Sequence, residues 1–221
     1  QTYSLNRGFQ SFKQPGSSLQ PLVIYTPALE EGSDANSTLT EIDVKAAKKS
    51  TSEKISKMSG KKMSLRYAVE DSKNGCAYSL YNIITPKVGL SYIENMNFSK
   101  IVQQDYTLSS GLGGLHHGTN TVEMANAYST LENHGEYRQA DCISSILDAS
   151  GNEIYEEPES KTVYTRSASD QMTDILEGVL NSSAGTAKGL KWSSASDVAA
   201  AAKTGITNDN NVAWLCGYIP Y

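Results

Sequence analysis

Apolar residues along this chain recur mostly at intervals of three and four, the signature of helices that bury one face. Leu19, Leu22, Val23 and Leu29 form the first such stripe, and Gly32 predicts its end. Before it, residues 1–16 are polar and close on the turn Gln14-Pro15-Gly16. A short helix is expected from Ser64 to Val69, broken at Ser72-Lys73-Asn74-Gly75. Ala77, Leu80, Ile83 and Ile84 make a second stripe, closed by Pro86 and Gly89. Gly111-Leu112-Gly113-Gly114 reads as a flexible connection. Asn120 and Glu123 have capping-box spacing ahead of Val122, Ala125, Tyr128 and Leu131, with Gly135 as the stop. Ile143, Ile146 and Leu147 flank Ala149-Ser150-Gly151-Asn152, which predicts a hairpin between Cys142 and Tyr155. Met172, Ile175, Leu176 and Val179 mark a further helix. From Val198 through Lys203-Thr204-Gly205 a strand is expected, paired with residues 213–218. Helices in the middle and strands gathered at the end predict an α+β fold.

Composition changes this picture little. A length of 221 residues, 38% hydrophobic and 19% charged, suits one packed domain, here taken as residues 1–221. Residues 33–63 stand apart: they are Ser- and Lys-rich, with seven lysines from Lys45 to Lys62, and read as a flexible, solvated insertion. A net charge of −5 gives no footprint for nucleic acid. Thirteen Tyr against three Phe suggest many half-buried rings with wet hydroxyls. Cys76, Cys142 and Cys216 form no CxxC pair and are expected reduced and buried. The three histidines, His116, His117 and His134, lack metal-ligand spacing.

Candidate chemistry lies in three short elements that occur in one order: Ser17-Ser18-Leu19-Gln20, Ser72-Lys73-Asn74 and Lys203-Thr204-Gly205. Each is weak alone. Together they resemble the S-x-x-K, S-x-N and K-T-G set of penicillin-binding proteins and serine β-lactamases. A neutral serine hydroxyl needs a base within hydrogen-bond reach, and positions i and i+3 share one helix face. Flanking residues extend the likeness. Gln14-Pro15-Gly16-Ser17-Ser18-Leu19-Gln20-Pro21 is similar to the Q-P-G-S-S-x-K-P segment of class A penicillin-binding proteins, and Tyr25-Thr26-Pro27-Ala28-Leu29-Glu30 continues it. Leu112-Gly113-Gly114, Gly118-Thr119, Glu123–Tyr128, Lys203–Thr207 and Trp214–Tyr218 resemble later segments of the same family.

The resemblance implies a helical lobe plus an antiparallel sheet. It also implies a D,D-transpeptidase-type domain that binds peptidoglycan stem peptides and β-lactams through an acyl-serine intermediate. Ser17 is then the nucleophile, and Ser72 and Asn74 form the relay and the amide clamp. Lys203, Thr204, Gly205 and Thr207 line the substrate strand. The backbone N–H groups of Ser17 and Ile206 form an oxyanion hole. No metal or organic cofactor is implied. Possible partners are cell-wall assembly proteins, and the parent chain would be membrane-anchored on the extracytoplasmic face of the bacterial cytoplasmic membrane.

The pattern is broken in places. Gln20 occupies the lysine position, and an amide cannot take a proton in this pH range. Lys73 is the nearest alternative base in sequence. Ile206 stands where the family usually has Thr. Both changes fit an impaired enzyme or a pseudo-transpeptidase that binds or scaffolds; a β-lactam sensor would share the same deficit. Glu177-Gly178-Val179-Leu180-Asn181 matches the deacylating-glutamate pattern of class A β-lactamases, but its place just before the K-T-G strand reads as chance. Compared with the family, little precedes Ser17 and nothing follows Tyr221. The expectation is therefore a fold truncated at both ends, completed by residues outside this sequence or by another chain.

Overall fold

A computed structural model of the chain describes residues 4–190, 198–207 and 211–219. A short helix α1 (Arg7–Gln10) is followed by a continuous helical path. That path runs through a 3-10 turn (Gly16–Leu19), a wide π segment (Pro21–Tyr25) and helix α2 (Thr26–Glu30). Pro21 and Pro27 carry no N–H, so the regular ladder is interrupted there and the turn widens. From Pro15 to Leu29 every residue is buried except Ser17. Gly32, with φ +92°, ends the path as its sequence predicts.

Strands β1 (Thr38–Glu41) and β2 (Lys61–Ser64) pair antiparallel, Thr38 opposite Ser64. Between them lie helices α3 (Val44–Ala47) and α4 (Ser52–Ser56). The Lys/Ser-rich stretch thus carries regular structure: Ile42, Ala47 and Ile55 bury against Tyr78 in a small cluster of their own. Helix α5 (Leu65–Glu70) is capped by Ser64, whose hydroxyl accepts from the Tyr67 N–H. Helix α6 (Asn74–Ile84) then buries Ala77, Leu80 and Ile84, while Ile83, expected in the stripe, is 68% exposed. Pro86 ends α6 but also begins α7 (Pro86–Asn95), because proline suits the first turn of a helix. Gly89 is therefore inside a helix rather than after one; a Cβ there would lie 2.3 Å from the Val23 carbonyl oxygen.

Helix α8 (Thr121–Glu132) begins with the expected capping box of Asn120 and Glu123. Strands β3 (Glu136–Tyr137) and β4 (Lys161–Thr162) form a minimal pair. The predicted hairpin at 142–155 reduces to a single bridge, Leu147 to Glu153. Its apolar residues Ile143, Ile146 and Leu147 are exposed and have no core to join, so no ladder extends. Cys142 is likewise exposed, whereas Cys76 and Cys216 are buried, and all three are free. Helix α9 (Arg166–Asn181) buries Met172, Ile175, Leu176 and Val179. It packs on the antiparallel pair β5 (Ala201–Ile206) and β6 (Ala213–Tyr218), in which Lys203 faces Cys216.

One continuous core joins the Gly16–Glu30 path to α5–α9 and β5. The tyrosines correct the half-buried expectation: Tyr25, Tyr81, Tyr128 and Tyr164 are fully buried. Two of them tether the central path, Tyr128 Oη donating to Ser18 O (2.7 Å) and Tyr164 Oη to Leu22 O (2.6 Å). Glycines decide how closely its first turn can be approached. Gly113 has φ +79°, and a Cβ on it would sit 2.3 Å from the nitrogen of Gly16. Gly32 has an equally unusual φ, but a Cβ there meets nothing within 4 Å. We expect Gly32→Ala to cost about 1–2 kcal/mol, from backbone strain alone. Gly113→Ala should cost more, because strain and clash add; comparison of urea midpoints of the two variants checks this.

Candidate active site

The turn Gly16–Leu19 and strand β5 meet backbone to backbone. A Cβ on Gly205 would lie 2.4 Å from Pro15 O, and one on Gly16 would lie 2.7 Å from Ile206 O. Only residues lacking side chains allow this contact. It sets the Ser17 hydroxyl against β5, where Oγ donates to Thr204 O at 3.1 Å. Around the turn, Gln14 and Trp214 act as clamps. The Gln14 side chain bonds the Leu115 backbone in both directions, and Trp214 Nε1 donates to Gln14 O at 3.0 Å.

Lys203 lies one residue before Thr204 and is completely buried. Its Nζ donates to Ser72 Oγ (2.7 Å) and to the same Thr204 carbonyl (3.1 Å). Among the described residues it forms no ion pair, and burial lowers its pKa from 10.5 to about 7. The facing thiol of Cys216 supplies no counter-charge near neutrality, since burial pushes its own pKa up to about 11. Ser72 is held with φ +53° at the break between α5 and α6, where it can face β5. Thr204 also shares a hydroxyl contact with Thr186, 2.7 Å away.

Gln20 is fully buried. Its Nε2 donates to Asn74 Oδ1 at 3.0 Å, while its Oε1 has no hydrogen-bond partner among the described residues. The i,i+3 spacing suggests that Gln20 faces Ser17. Instead the amide turns to Asn74 and the serine hydroxyl turns to β5. Lys73 does not enter the site: it pairs with Asp71 at 2.9 Å, a contact that raises its pKa and holds its proton. Ile206 is exposed at the end of β5. Thr207 closes the hairpin turn, its Oγ1 accepting from the Val212 N–H at 3.2 Å. Glu177-Gly178-Val179-Leu180-Asn181 lies on α9, where Val179 and Leu180 serve the core.

The structure therefore joins Ser17, Thr204, Lys203 and Ser72 in one hydrogen-bonded chain, with Gln20 and Asn74 as a separate pair. Gly113 and Trp214 lie in segments that carry the family resemblance, but nothing in the sequence marks these contacts. Thr186 carries no signal in the sequence.

The family model for the penicillin binding protein transpeptidase domain matches residues 1–221, and the chain belongs to that family. Penicillin-binding protein 4 of Bacillus subtilis (strain 168) is 28% identical over 218 residues, covering 98% of this chain and 34% of that protein. Penicillin-binding protein 2a of Streptococcus pneumoniae serotype 2 (strain D39 / NCTC 7466) is 31% identical over 231 residues, covering 98% and 30%. The chain thus spans about a third of the length of these relatives. Among solved structures, PonA1 of Mycobacterium tuberculosis in complex with penicillin V superposes with a TM-score of 0.77 at 18% identity, over 100% of this chain and 61% of that one. The D,D-transpeptidase domain of a peptidoglycan glycosyltransferase from Eggerthella lenta gives 0.73 at 18% identity, over 100% and 60%. The α+β fold is that of penicillin-binding transpeptidase domains.

Burial of Lys203 makes stability depend on pH. Between about pH 7 and 10.5 its amine is neutral in the folded chain and protonated in the unfolded one. The unfolded state then binds the extra proton, so stability rises with pH across this window. The urea midpoint should climb from pH 7 to pH 10, and the climb should shrink in Lys203→Met. An identical pH dependence in both proteins would show that the buried amine is not responsible.

Proposed function

We propose that this chain is a D,D-transpeptidase-type domain of peptidoglycan cross-linking, with Ser17 as the acyl-accepting nucleophile and with acylation slowed by Gln20. One observation carries the reading: the single solvent-reaching residue between Pro15 and Leu29 is a serine whose hydroxyl is bonded to the Lys203-Thr204-Gly205 strand. In the donor step Ser17 Oγ bonds to the carbonyl carbon of a D-alanyl-D-alanine amide. The C–N bond breaks, and the departing D-alanine takes a proton at nitrogen. An amine of a second strand then attacks the ester, and the serine recovers its proton. Backbone N–H groups at Ser17 and Ile206 stabilise the negative charge on the carbonyl oxygen, a role that Ile206 can fill without a side-chain hydroxyl. Asn74, Thr204, Gly205 and Thr207 bind the substrate backbone and carboxylate. On the same reading the domain works on the extracytoplasmic face of a bacterial membrane as part of an anchored parent chain.

The donor step needs a group to take the Ser17 proton, and this is where the site falls short. Among the described residues, Ser17 Oγ contacts a carbonyl oxygen and no amine. Gln20 is engaged with Asn74. Lys203 has the pKa of a base, but its contacts are Ser72 and Thr204 O. General-base assistance contributes typically ~10²–10⁴ in rate, so a pocket that binds well can acylate slowly. The second reading, a non-catalytic module that binds or scaffolds with cell-wall assembly proteins, is favoured by the same buried Gln20.

Fluorescent penicillin labelling separates the cases. Gln20→Lys should label at Ser17 about 10²–10⁴ times faster than the unaltered chain, and Ser17→Ala in that background should abolish the band. Equal, rapid labelling with Gln or Lys at position 20 would remove the diagnosis of impairment.

A further inference from the structure

Beside the nucleophile turn lies a cleft of about 250 Å³, of whose lining the chemistry above uses only Thr207. Gly16, the residue before Ser17, and Thr207, the residue after Ile206, form one side of it; Ser109 and Gly113 form another. Gly113 packs so closely on Gly16 that the floor is bare backbone. The remaining wall comes from outside the motif-bearing elements: Lys48, from the stretch between β1 and β2.

Among the described residues, Lys48 is the sole charged one lining this cleft. It follows α3, whose start is capped by Asp43 Oδ1 accepting from the N–H groups of Lys45 and Ala46. Its own N–H donates to Val44 O at 2.9 Å, and its neighbour Ala47 is buried in the cluster with Ile42, Ile55 and Tyr78. The backbone under the side chain is thus fixed, while the side chain is exposed and forms no ion pair among the described residues. Lys61 and Lys62, by contrast, lie on β2 and do not line the cleft. A peptide extended along β5 past the Gly16–Thr207 edge would come to the cleft that Lys48 lines.

We propose that this cleft is a substrate subsite for a carboxylate-bearing part of the stem peptide, and that Lys48 selects the carboxylate over its neutral amide. The proposal rests on the transpeptidase reading above and adds to it the charge class of the bound strand. An exposed ammonium–carboxylate contact is worth modest, salt-sensitive free energy. The effect is therefore a preference, not a requirement.

The test uses the full chain and two synthetic peptides ending in D-alanyl-D-alanine, identical except that one internal side chain is a free carboxylate or the corresponding amide. Dissociation constants are measured by calorimetry at low and high salt, with fluorescent penicillin binding as a separate measurement on the unaltered chain. The carboxylate peptide should bind about 1.5-fold to fivefold more tightly at low salt. That preference should vanish in Lys48→Ala, invert in Lys48→Glu, survive in Lys48→Arg and fade at high salt. Unchanged melting temperatures will show that the variants are folded. Penicillin binding together with a preference that is absent, or that persists in Lys48→Ala, would overturn the subsite while leaving the transpeptidase reading in place. Failure of the unaltered chain to bind penicillin or either peptide would overturn that reading, and the subsite with it.

Discussion

Every feature of the site depends on one contact: the backbone of β5 resting on the turn that carries Ser17. Ordinary side chains would hold a strand and a helical turn several ångströms further apart. Here Gly16 and Gly205 remove the intervening atoms, and Gly113 braces the turn from its other side. The result is that a serine hydroxyl, a strand carbonyl and a lysine ammonium share one small volume. Buried tyrosines reinforce this contact from behind. Tyr128 and Tyr164 donate to carbonyls at Ser18 and Leu22, where the path containing Ser17 departs from regular helix geometry. Buried carbonyls without such donors would each cost about 1–3 kcal/mol.

The same packing defines the electrostatics. A lysine driven entirely out of water, without a carboxylate partner among the described residues, loses its preference for the charged form. Lys203 is therefore poised near neutrality between an ammonium cation and a neutral amine that can accept a proton. Gln20 next to Asn74 contributes neither charge nor basicity. Its buried Oε1, without a partner among the described residues, is an unfavourable arrangement by the usual rule for interior polar groups. An amide has been accommodated in this pocket without gaining a full set of hydrogen bonds.

Much of this was legible in the sequence because it is written in local rules. The Asn120–Glu123 capping box, the Met172–Val179 stripe and the β5–β6 hairpin depend on neighbours a few residues apart, and each forms, although β5 begins at Ala201 and not at Val198. What spacing missed depends on distant partners. Pro86 looks like a terminator in sequence, yet as the first residue of α7 it is an initiator. The 142–155 segment has hairpin composition but no surface to pack on, and one bridge is all that forms. Tyrosine content suggested a wet half-buried layer; whether a hydroxyl can instead find a buried carbonyl is settled by residues more than a hundred positions away. The site shows the same division. Its three motifs stand out in order, whereas the Ser17–Thr204 hydrogen bond links residues 187 apart through a backbone oxygen that no motif encodes. The i,i+3 rule pointed Gln20 at Ser17, and tertiary contacts turned both side chains elsewhere.

On the proposed reading, in which no base reaches the Ser17 hydroxyl, the pocket should bind far better than it reacts. The most direct measurement is a time course of intact mass for the unaltered chain incubated with saturating benzylpenicillin at neutral pH, beside calorimetry for reversible binding. The account predicts saturable binding and a protein mass that stays unmodified over the first minutes, with any adduct appearing slowly and only on the Ser17 peptide. Complete conversion within that time to a penicilloyl adduct on Ser17 would show that a competent base is present and contradict the account.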